Sequence, residues 1–114
     1  MQRIVMKSKI HNAEVTQVNL HYEGSITIDE QLMAEADIID GERVQVVNIN
    51  NGARMETYVI PGEKGSGIIG LNGPAARLAV EGDIIHIITY AVMGEVELRS
   101  FEPTVIILGE DNEV

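Results

Sequence analysis

Short runs of β-branched and aromatic residues dominate the hydrophobic pattern of this chain. Near the start, Gln2–Lys7 and Glu14–Leu20 alternate apolar and polar positions with a period of two, which is typical of half-buried strands. Five further segments rich in Val, Ile, Thr and Tyr are predicted strands: Arg43–Ile49, Met55–Ile60, Ser66–Leu71, Asp83–Tyr90 and Thr104–Leu108. Turn sequences such as Asn51-Gly52 and Pro61-Gly62 separate several of them. The pattern predicts a mainly β protein.

Two short helices interrupt the strands. Asp29 is a predicted N-cap for a helix over Glu30–Ala36, and a capping box from Thr27 to Glu30 is a competing start. A second helix is predicted to begin at Asn72-Gly73-Pro74 and to run to about Val80, because proline suits the first helical turn. Many short strands with two short helices predict a small closed barrel, which would leave no exposed sheet edge. Periodicity does not fix the strand order.

Composition narrows the possible partners. The 114 residues suit one domain, 1–114. Eighteen acidic and eight basic residues give a net charge of -10, so nucleic acid is not an expected partner. The chain has no cysteine, which excludes disulfides, thiolate nucleophiles and cysteine-bound metals. The acidic tail, Gly109–Val114, is predicted to be frayed.

Two observations bear on the compartment. The first twelve residues lack the apolar core of a signal peptide, and the longest apolar stretch, Ile84–Met93, is too short to span a bilayer. We therefore expect a cytoplasmic protein with no membrane partner.

Few residues offer chemistry by themselves. The three histidines, His11, His21 and His86, do not form a metal-binding pattern, so no metal is expected. The glycine-rich segment Glu63–Gly70 lacks the Lys-Ser/Thr ending of a phosphate loop, and it is predicted to be a turn that leads into a strand.

The segment Leu20-His21-Tyr22-Glu23-Gly24-Ser25-Ile26-Thr27 resembles the self-cleavage site of the bacterial aspartate 1-decarboxylase family. The dipeptide alone is not specific, because Gly65-Ser66 repeats it in a predicted turn. Further matching motifs follow in order through nearly the whole chain: Lys9-Ile10-His11, Asn51-Gly52-Ala53-Arg54, Thr57-Tyr58, Gly65-Ser66, Ile69 with Asn72-Gly73, Gly82-Asp83-Ile84-Ile85 and the tail Gly109–Glu113.

The resemblance implies that the chain cuts itself between Gly24 and Ser25, giving residues 1–24 (the β chain) and 25–114 (the α chain). The Ser25 hydroxyl would attack the Gly24 carbonyl to form an ester, and elimination and hydrolysis would leave a pyruvoyl group at position 25. That group would form a Schiff base with the substrate, so pyridoxal phosphate is not needed. Because it has no Cβ, Gly24 is expected to permit strained backbone angles and to leave its carbonyl open to attack.

The resemblance also implies roles for other residues. Arg54 would hold the side-chain carboxylate of the substrate, since a guanidinium can bind a carboxylate through two hydrogen bonds. Lys9 would either assist Arg54 or hold a carboxylate during processing. Tyr58 would donate a proton to Cα, and Thr57 would act in processing and in substrate binding. Neighbouring strand residues point to opposite faces, so Thr57 and Tyr58 share one site only if the strand is irregular or the site bridges strands or subunits.

The start of the second helix would form the other wall of the site. Asn72, Gly73 and Ala75 are implied substrate-binding residues there, because free N–H groups at a helix start favour an anion. Many relatives have alanine where this chain has Pro74, which has no N–H, so one contact is lost. The remaining implied residues are supporting ones: His11 and Tyr22.

The family fold is a six-stranded double-psi β-barrel with two or more short helices, assembled as a homotetramer with active sites between subunits. The implied reaction converts L-aspartate to β-alanine and carbon dioxide for the synthesis of pantothenate and coenzyme A. Three alternatives stay open from the residues: a pyruvoyl decarboxylase of another acidic amino acid, a non-catalytic β-barrel binding module, and a structural oligomer subunit whose acidic surface serves solubility.

Overall fold

The computed structural model describes all residues from Met1 to Val114. Eight strands account for most of the chain: β1 Gln2–Glu14, β2 Gln17–Asn19, β3 Ser25–Asp29, β4 Arg43–Asn48, β5 Arg54–Gly62, β6 Ile69–Asn72, β7 Ile84–Gly94 and β8 Thr104–Ile107. The helices are short: α1 Glu30–Glu35, α2 Glu95–Leu98, and 3-10 turns over Gly73–Arg77 and Glu110–Asn112. None of these helices has the length and apolar character needed to cross a bilayer.

All eight strands belong to one sheet with the order β2-β6-β3-β5-β4-β7-β1-β8. Only Val15 and Thr16 separate β1 from β2 in sequence, yet the two strands lie near opposite ends of this order. Val15 N–H donates to the Asp83 carbonyl just before β7, and Thr16 N–H donates to the Ile69 carbonyl in β6. These two consecutive bonds require the sheet to curl until its two sides meet, as in a barrel. The prediction of a small β-barrel is confirmed.

Alternation along the strands fills the interior. In β4 and β7, every second residue is buried, so the apolar positions of the sequence pattern point inward. One cluster of 19 buried apolar residues forms the core, including Ile10, Ile26, Ile28, Val44, Val46, Val59, Ile69, Leu71, Ile85 and Ile87. The intervening residues form an outward face, which carries most of the candidate chemistry.

Several predicted boundaries were wrong in informative ways. The predicted strands Gln2–Lys7 and Glu14–Leu20 are instead a long β1 and a three-residue β2. β1 stays paired past Lys7 because two register shifts, one of them next to Asn12 at φ +63°, let it follow the curvature. Neither β3 nor α2 was predicted, and the predicted strand Ser66–Leu71 begins at Ile69, after the turn.

The second predicted helix is shorter than expected. It is a 3-10 turn of five residues, Gly73–Arg77, and it does not reach Val80. Pro74 does lie in its first turn, as predicted. A turn of this length has a small dipole, so the argument that a helix start attracts an anion has little force here.

The acidic tail is ordered, so the prediction of fraying was wrong. Asn112 is buried, and its side chain bonds both backbone groups of Glu14, accepting from N–H at 2.7 Å and donating to the carbonyl at 2.9 Å. The same amide donates to the Gly67 carbonyl at 2.8 Å. These bonds fasten the tail to the end of β1.

Asp29 caps α1 and also fixes the loop before β6. One of its oxygens accepts from the N–H groups of Gln31 (2.8 Å) and Gly65 (2.9 Å), and the other accepts from Gly67 (2.9 Å). The predicted N-cap is confirmed, and the competing capping box at Thr27 was wrong. Burial opposes ionisation of Asp29, but the backbone hydrogen bonds outweigh it and hold its pKa below the ordinary value.

This cap gives a prediction for stability against pH. A carboxyl whose folded pKa is depressed stabilises the fold above its unfolded pKa of about 3.9, and that stability is lost as pH falls through the folded pKa. Asp29→Asn should lower the free energy of unfolding by about 2 kcal/mol at pH 7. It should have a smaller effect near pH 3, measured by urea unfolding at one fixed protein concentration. A loss that is equally large at both pH values would contradict the assigned role of the charge.

Candidate functional site

Ser25 begins β3 and is completely buried. Its hydroxyl accepts a hydrogen bond from Asn72 Nδ2 at 2.9 Å and donates to the Glu23 carbonyl at 3.3 Å. Asn72 Nδ2 also donates to Thr27 Oγ1 at 3.0 Å, so one buried amide holds two side chains of the strand. Antiparallel pairing of β3 with β6 places Ser25 directly opposite Asn72.

Close backbone packing surrounds the Gly24–Ser25 bond. Gly73 has φ +62°, and a Cβ there would lie 2.7 Å from the Tyr22 carbonyl oxygen and 2.9 Å from Gly24 Cα. At Gly24 a Cβ would meet only Pro74 Cδ, at an ordinary 3.5 Å, and its φ is not in the left-handed region. The expected strain therefore lies at Gly73, not at Gly24. Gly73 lets the 3-10 turn pack directly against the segment before Ser25.

The register of β3 with β5 orders the predicted catalytic residues. Parallel pairing sets Ile26 opposite Val59, and extending it by one residue places Tyr58 beside Ser25. Tyr58 is exposed on the outward face, which it shares with Arg54 because residues four apart in a strand point the same way. Both residues therefore lie on the side of the sheet to which Ser25 and Asn72 belong.

Thr57 lies on the other side of β5. This strand pairs with β4 without a bulge, so Thr57 points inward with Val59 while Tyr58 points outward. The irregular strand considered from the sequence is absent. Thr57 and Tyr58 therefore lie on opposite faces of β5.

Arg54 has a neutral partner. Its Nη1 donates to Gln45 Oε1 at 3.1 Å, and no carboxylate of the chain forms an ion pair with it. The nearby carboxylate of Glu56, two residues along β5, pairs with Arg43. Arg54 therefore keeps its positive charge available on the outward face.

A stacked pair of histidines lies on the same outward face. The rings of His11 and His86 are 4.1 Å apart between centroids and within 9° of parallel. His86 Nδ1 accepts from the Asn12 N–H at 3.1 Å. Burial lowers the pKa of His86, and the neighbouring His11 and Lys9 lower it further, against a hydrogen bond with the Ile85 backbone.

The remaining predicted residues lie in three places. Asn72 ends β6, Gly73 and Ala75 lie in the 3-10 turn, and all three are buried, whereas Tyr22 is half exposed in the turn before Ser25. Lys9 lies on the outward face, paired with Ile88 of β7 and Val105 of β8. Two strands, β7 and β4, separate it from the strand of Arg54.

Sequence reasoning missed three residues of this face: Gln45, Tyr90 and His86. Tyr90 Oη donates to Gln45 Oε1 at 2.9 Å, beside the Arg54 bond to the same atom. A cavity of about 380 Å³ is lined by Gln45 and Tyr90 together with Ile4, Arg43, Val44 and Glu56. The alternation of β4 and β7 predicts that Gln45 and Tyr90 point outward, but only the strand register brings them together.

Gly73 offers a prediction with a matched control. Gly73→Ala and Gly82→Ala both put a side chain on a residue with positive φ, which costs about 1–2 kcal/mol. Only at Gly73 does the new Cβ collide with backbone, since nothing lies within 4 Å at Gly82. Gly73→Ala should displace the segment before Ser25 and prevent cleavage of the Gly24–Ser25 bond, measured by mass, while Gly82→Ala should be cleaved normally. Equal cleavage of the two variants would show that the close packing of Gly73 against Tyr22 and Gly24 is not needed.

Comparison with known proteins identifies the family of the chain. The family profile described as "Aspartate decarboxylase" matches residues 1–114. The curated aspartate 1-decarboxylase of Thermoanaerobacter pseudethanolicus is 60% identical over 98% of this chain and 96% of its own length. The protein of the same name from Heliobacterium modesticaldum is 58% identical over 100% of this chain and 86% of its own length.

A solved structure supports the fold. The rationally designed protein mkDPBB_sym_86, a double-psi β-barrel, matches with a TM-score of 0.51 over 68% of this chain and 90% of its own, at 15% identity. The double-psi β-barrel that the family resemblance implies is thereby confirmed, although the sheet has eight strands where six were expected. From the match over its whole length and the identity to these relatives, the chain belongs to the aspartate decarboxylase family.

Proposed function

We propose that this chain is a self-processing aspartate 1-decarboxylase, which removes the α-carboxylate of L-aspartate to give β-alanine for pantothenate and coenzyme A synthesis. The observation that carries the proposal is Ser25, buried directly after Gly24 with its hydroxyl held by the Asn72 amide. Family membership at 60% identity to a protein of that name supports it.

Processing would use atoms that are already adjacent. Ser25 Oγ attacks the Gly24 carbonyl carbon, the Gly24–Ser25 C–N bond breaks, and the serine nitrogen becomes an amine. Loss of the Ser25 Cα proton and cleavage of the Cβ–Oγ bond would then release the Gly24 carboxylate and leave dehydroalanine at position 25. Hydrolysis of dehydroalanine by water would then release its nitrogen as ammonia and leave a ketone at position 25. Attack within one residue needs only a suitable rotamer, and the Asn72 hydrogen bond restricts that rotamer.

The surroundings of Gly24 and Ser25 suit this group. After cleavage, residue 25 would stay paired with Asn72 in the β3–β6 ladder. Gly73 would pack against the residues before it, and Tyr58 would lie beside it. Thr57 would steady the oxyanion formed during attack, the role that the family resemblance implies. When formed, the pyruvoyl ketone supplies an electrophile for the substrate amine and a sink for the electron pair left at Cα.

Substrate recognition would come from the outward face. Arg54 would hold the carboxylate that is retained, because its charge has no carboxylate partner in the chain. Gripping the departing carboxylate would instead stabilise the ground state. Lys9 would assist Arg54, and Tyr58 would deliver a proton to Cα from a phenol on the same face as Ser25. Asn72, Gly73 and Ala75 would enclose the reacting end, and His11 and Tyr22 would support it.

We also propose that the chain assembles as a homotetramer with sites between subunits. Paired side chains of β1 and β7, Ile4 and Val92, are 74% and 58% exposed, and Val105 and Ile107 of the edge strand β8 are 48% and 62% exposed. Exposed apolar surface of this kind is typical of an interface with another protein chain. Sites between subunits are also what the family resemblance implies. A cytoplasmic location fits a biosynthetic role for the tetramer.

Replacing Ser25 tests processing and catalysis together. Wild-type protein should show two denatured masses, residues 1–24 and a remainder without the Ser25 amine, whereas Ser25→Ala should show one mass and no carbon dioxide release from aspartate. Ser66→Ala is the control, because it removes the hydroxyl of the other Gly-Ser pair, which bonds only its own turn. Native mass spectrometry of the same samples counts the subunits. Release of carbon dioxide from aspartate by the Ser25→Ala variant would refute the proposal.

Replacing Arg54 tests recognition. Arg54→Gln should raise KM for aspartate by roughly thirtyfold or more, since it removes a charge-assisted contact worth about 2 kcal/mol, and cleavage should persist. Arg99→Gln, at an exposed arginine after α2, should leave KM unchanged. Steady-state rates with aspartate and glutamate measure both effects. A wild type that prefers glutamate would favour the decarboxylase of another acidic amino acid.

A further inference from the structure

Gln45 lies at the centre of a hydrogen-bond network on the outward face. Its Oε1 accepts from Arg54 Nη1 at 3.1 Å and from Tyr90 Oη at 2.9 Å. Gln45 belongs to β4, between β5, which carries Arg54, and β7, which carries Tyr90. The network thus ties together three neighbouring strands.

The chemistry of the partners fixes the orientation of this amide. A guanidinium can only donate, so the atom of Gln45 that faces Arg54 must be the oxygen. The Tyr90 hydroxyl then donates to the second lone pair of the same atom. With both lone pairs used, Gln45 restrains one nitrogen of Arg54 and leaves the rest of the guanidinium free.

Gln45 differs from a carboxylate partner because it leaves the positive charge of Arg54 unpaired. Arg43 takes the carboxylate of Glu56, so that carboxylate is not available to Arg54. Gln45 orients Arg54 without neutralising it. We propose that Gln45 is a positioning residue that holds the Arg54 guanidinium ready for the substrate carboxylate. This inference rests on the proposed role of Arg54 in substrate recognition.

Gln45→Met tests the inference, because methionine keeps the length of the side chain and removes the acceptor. Measured per processed subunit, KM for aspartate should rise about tenfold while kcat changes less than roughly twofold, as expected for loss of one hydrogen bond to a charged group. Gln2→Met, the same change at the exposed start of β1, should match wild type. An unchanged KM, or a kcat that falls as much as kcat/KM, would overturn the proposal.

Gln45→Glu supplies a second test that does not depend on tolerance of methionine. Glutamate keeps the shape and both acceptor contacts, but its charge would pair with Arg54 and compete with the substrate. KM should therefore rise at least tenfold, with thermal unfolding recorded as the check on folding. A Gln45→Glu enzyme with the KM of wild type would show that the neutrality of Gln45 has no role.

Binding of succinate separates this inference from the proposed function. Succinate has two carboxylates but no amine, so its affinity reports recognition without the reaction. Gln45→Met should weaken succinate binding about tenfold in the wild-type background and should have no effect in an Arg54→Met background. Those results with a wild type that does not decarboxylate aspartate would uphold Gln45 and refute the function. Equal losses in both backgrounds would refute the action of Gln45 through Arg54.

Discussion

The pairing of β3 with β6 is the constraint on which the site depends. It sets Ser25 opposite Asn72, and one amide then donates to both Ser25 and Thr27. Leaving these groups buried without partners would cost about 1–3 kcal/mol each, so the first residues of β3 have one stable arrangement. The positions of Tyr58 and Thr57 follow from the same strand through its parallel partner. A shift of one residue would turn Ser25 away from Asn72 and exchange the faces.

The sequence predicted the strands whose burial alternates, because a period of two is a local signal. β4 and β7 are of this kind. β3 was missed although Ser25–Asp29 alternates polar and apolar residues, because it has only five residues and runs directly into α1. The ordered tail was missed for a different reason. Asn112 is held by Glu14, 98 residues away, and no local pattern contains such a bond.

The candidate site also has residues that the sequence predicted and residues that it did not. Gly24-Ser25, Arg54 and the Thr57-Tyr58 pair were found from their resemblance to family motifs, and extending the register of β3 with β5 by one residue places Tyr58 beside Ser25. Gln45 carries no such signal, since an isolated polar residue in a strand usually faces solvent. Its significance appears only when β5 and β7 bring Arg54 and Tyr90 to the same oxygen. A positive φ is not found at Gly24, whereas Gly73, which packs against Gly24, has φ +62°.

The length of β1 affects how the protein would unfold and refold before and after the chain is cut. β1 pairs with β7 along most of its length and with β8 on its other side, so a peptide of residues 1–24 would remain bound after the chain is cut. The intact chain folds as a unimolecular event, whereas the cut protein, once denatured, would need two separate pieces to meet. Its refolding would be second order in concentration and without the entropy advantage of a tether. Cleavage would thus convert a reversible fold into one that persists mainly because its unfolding is slow.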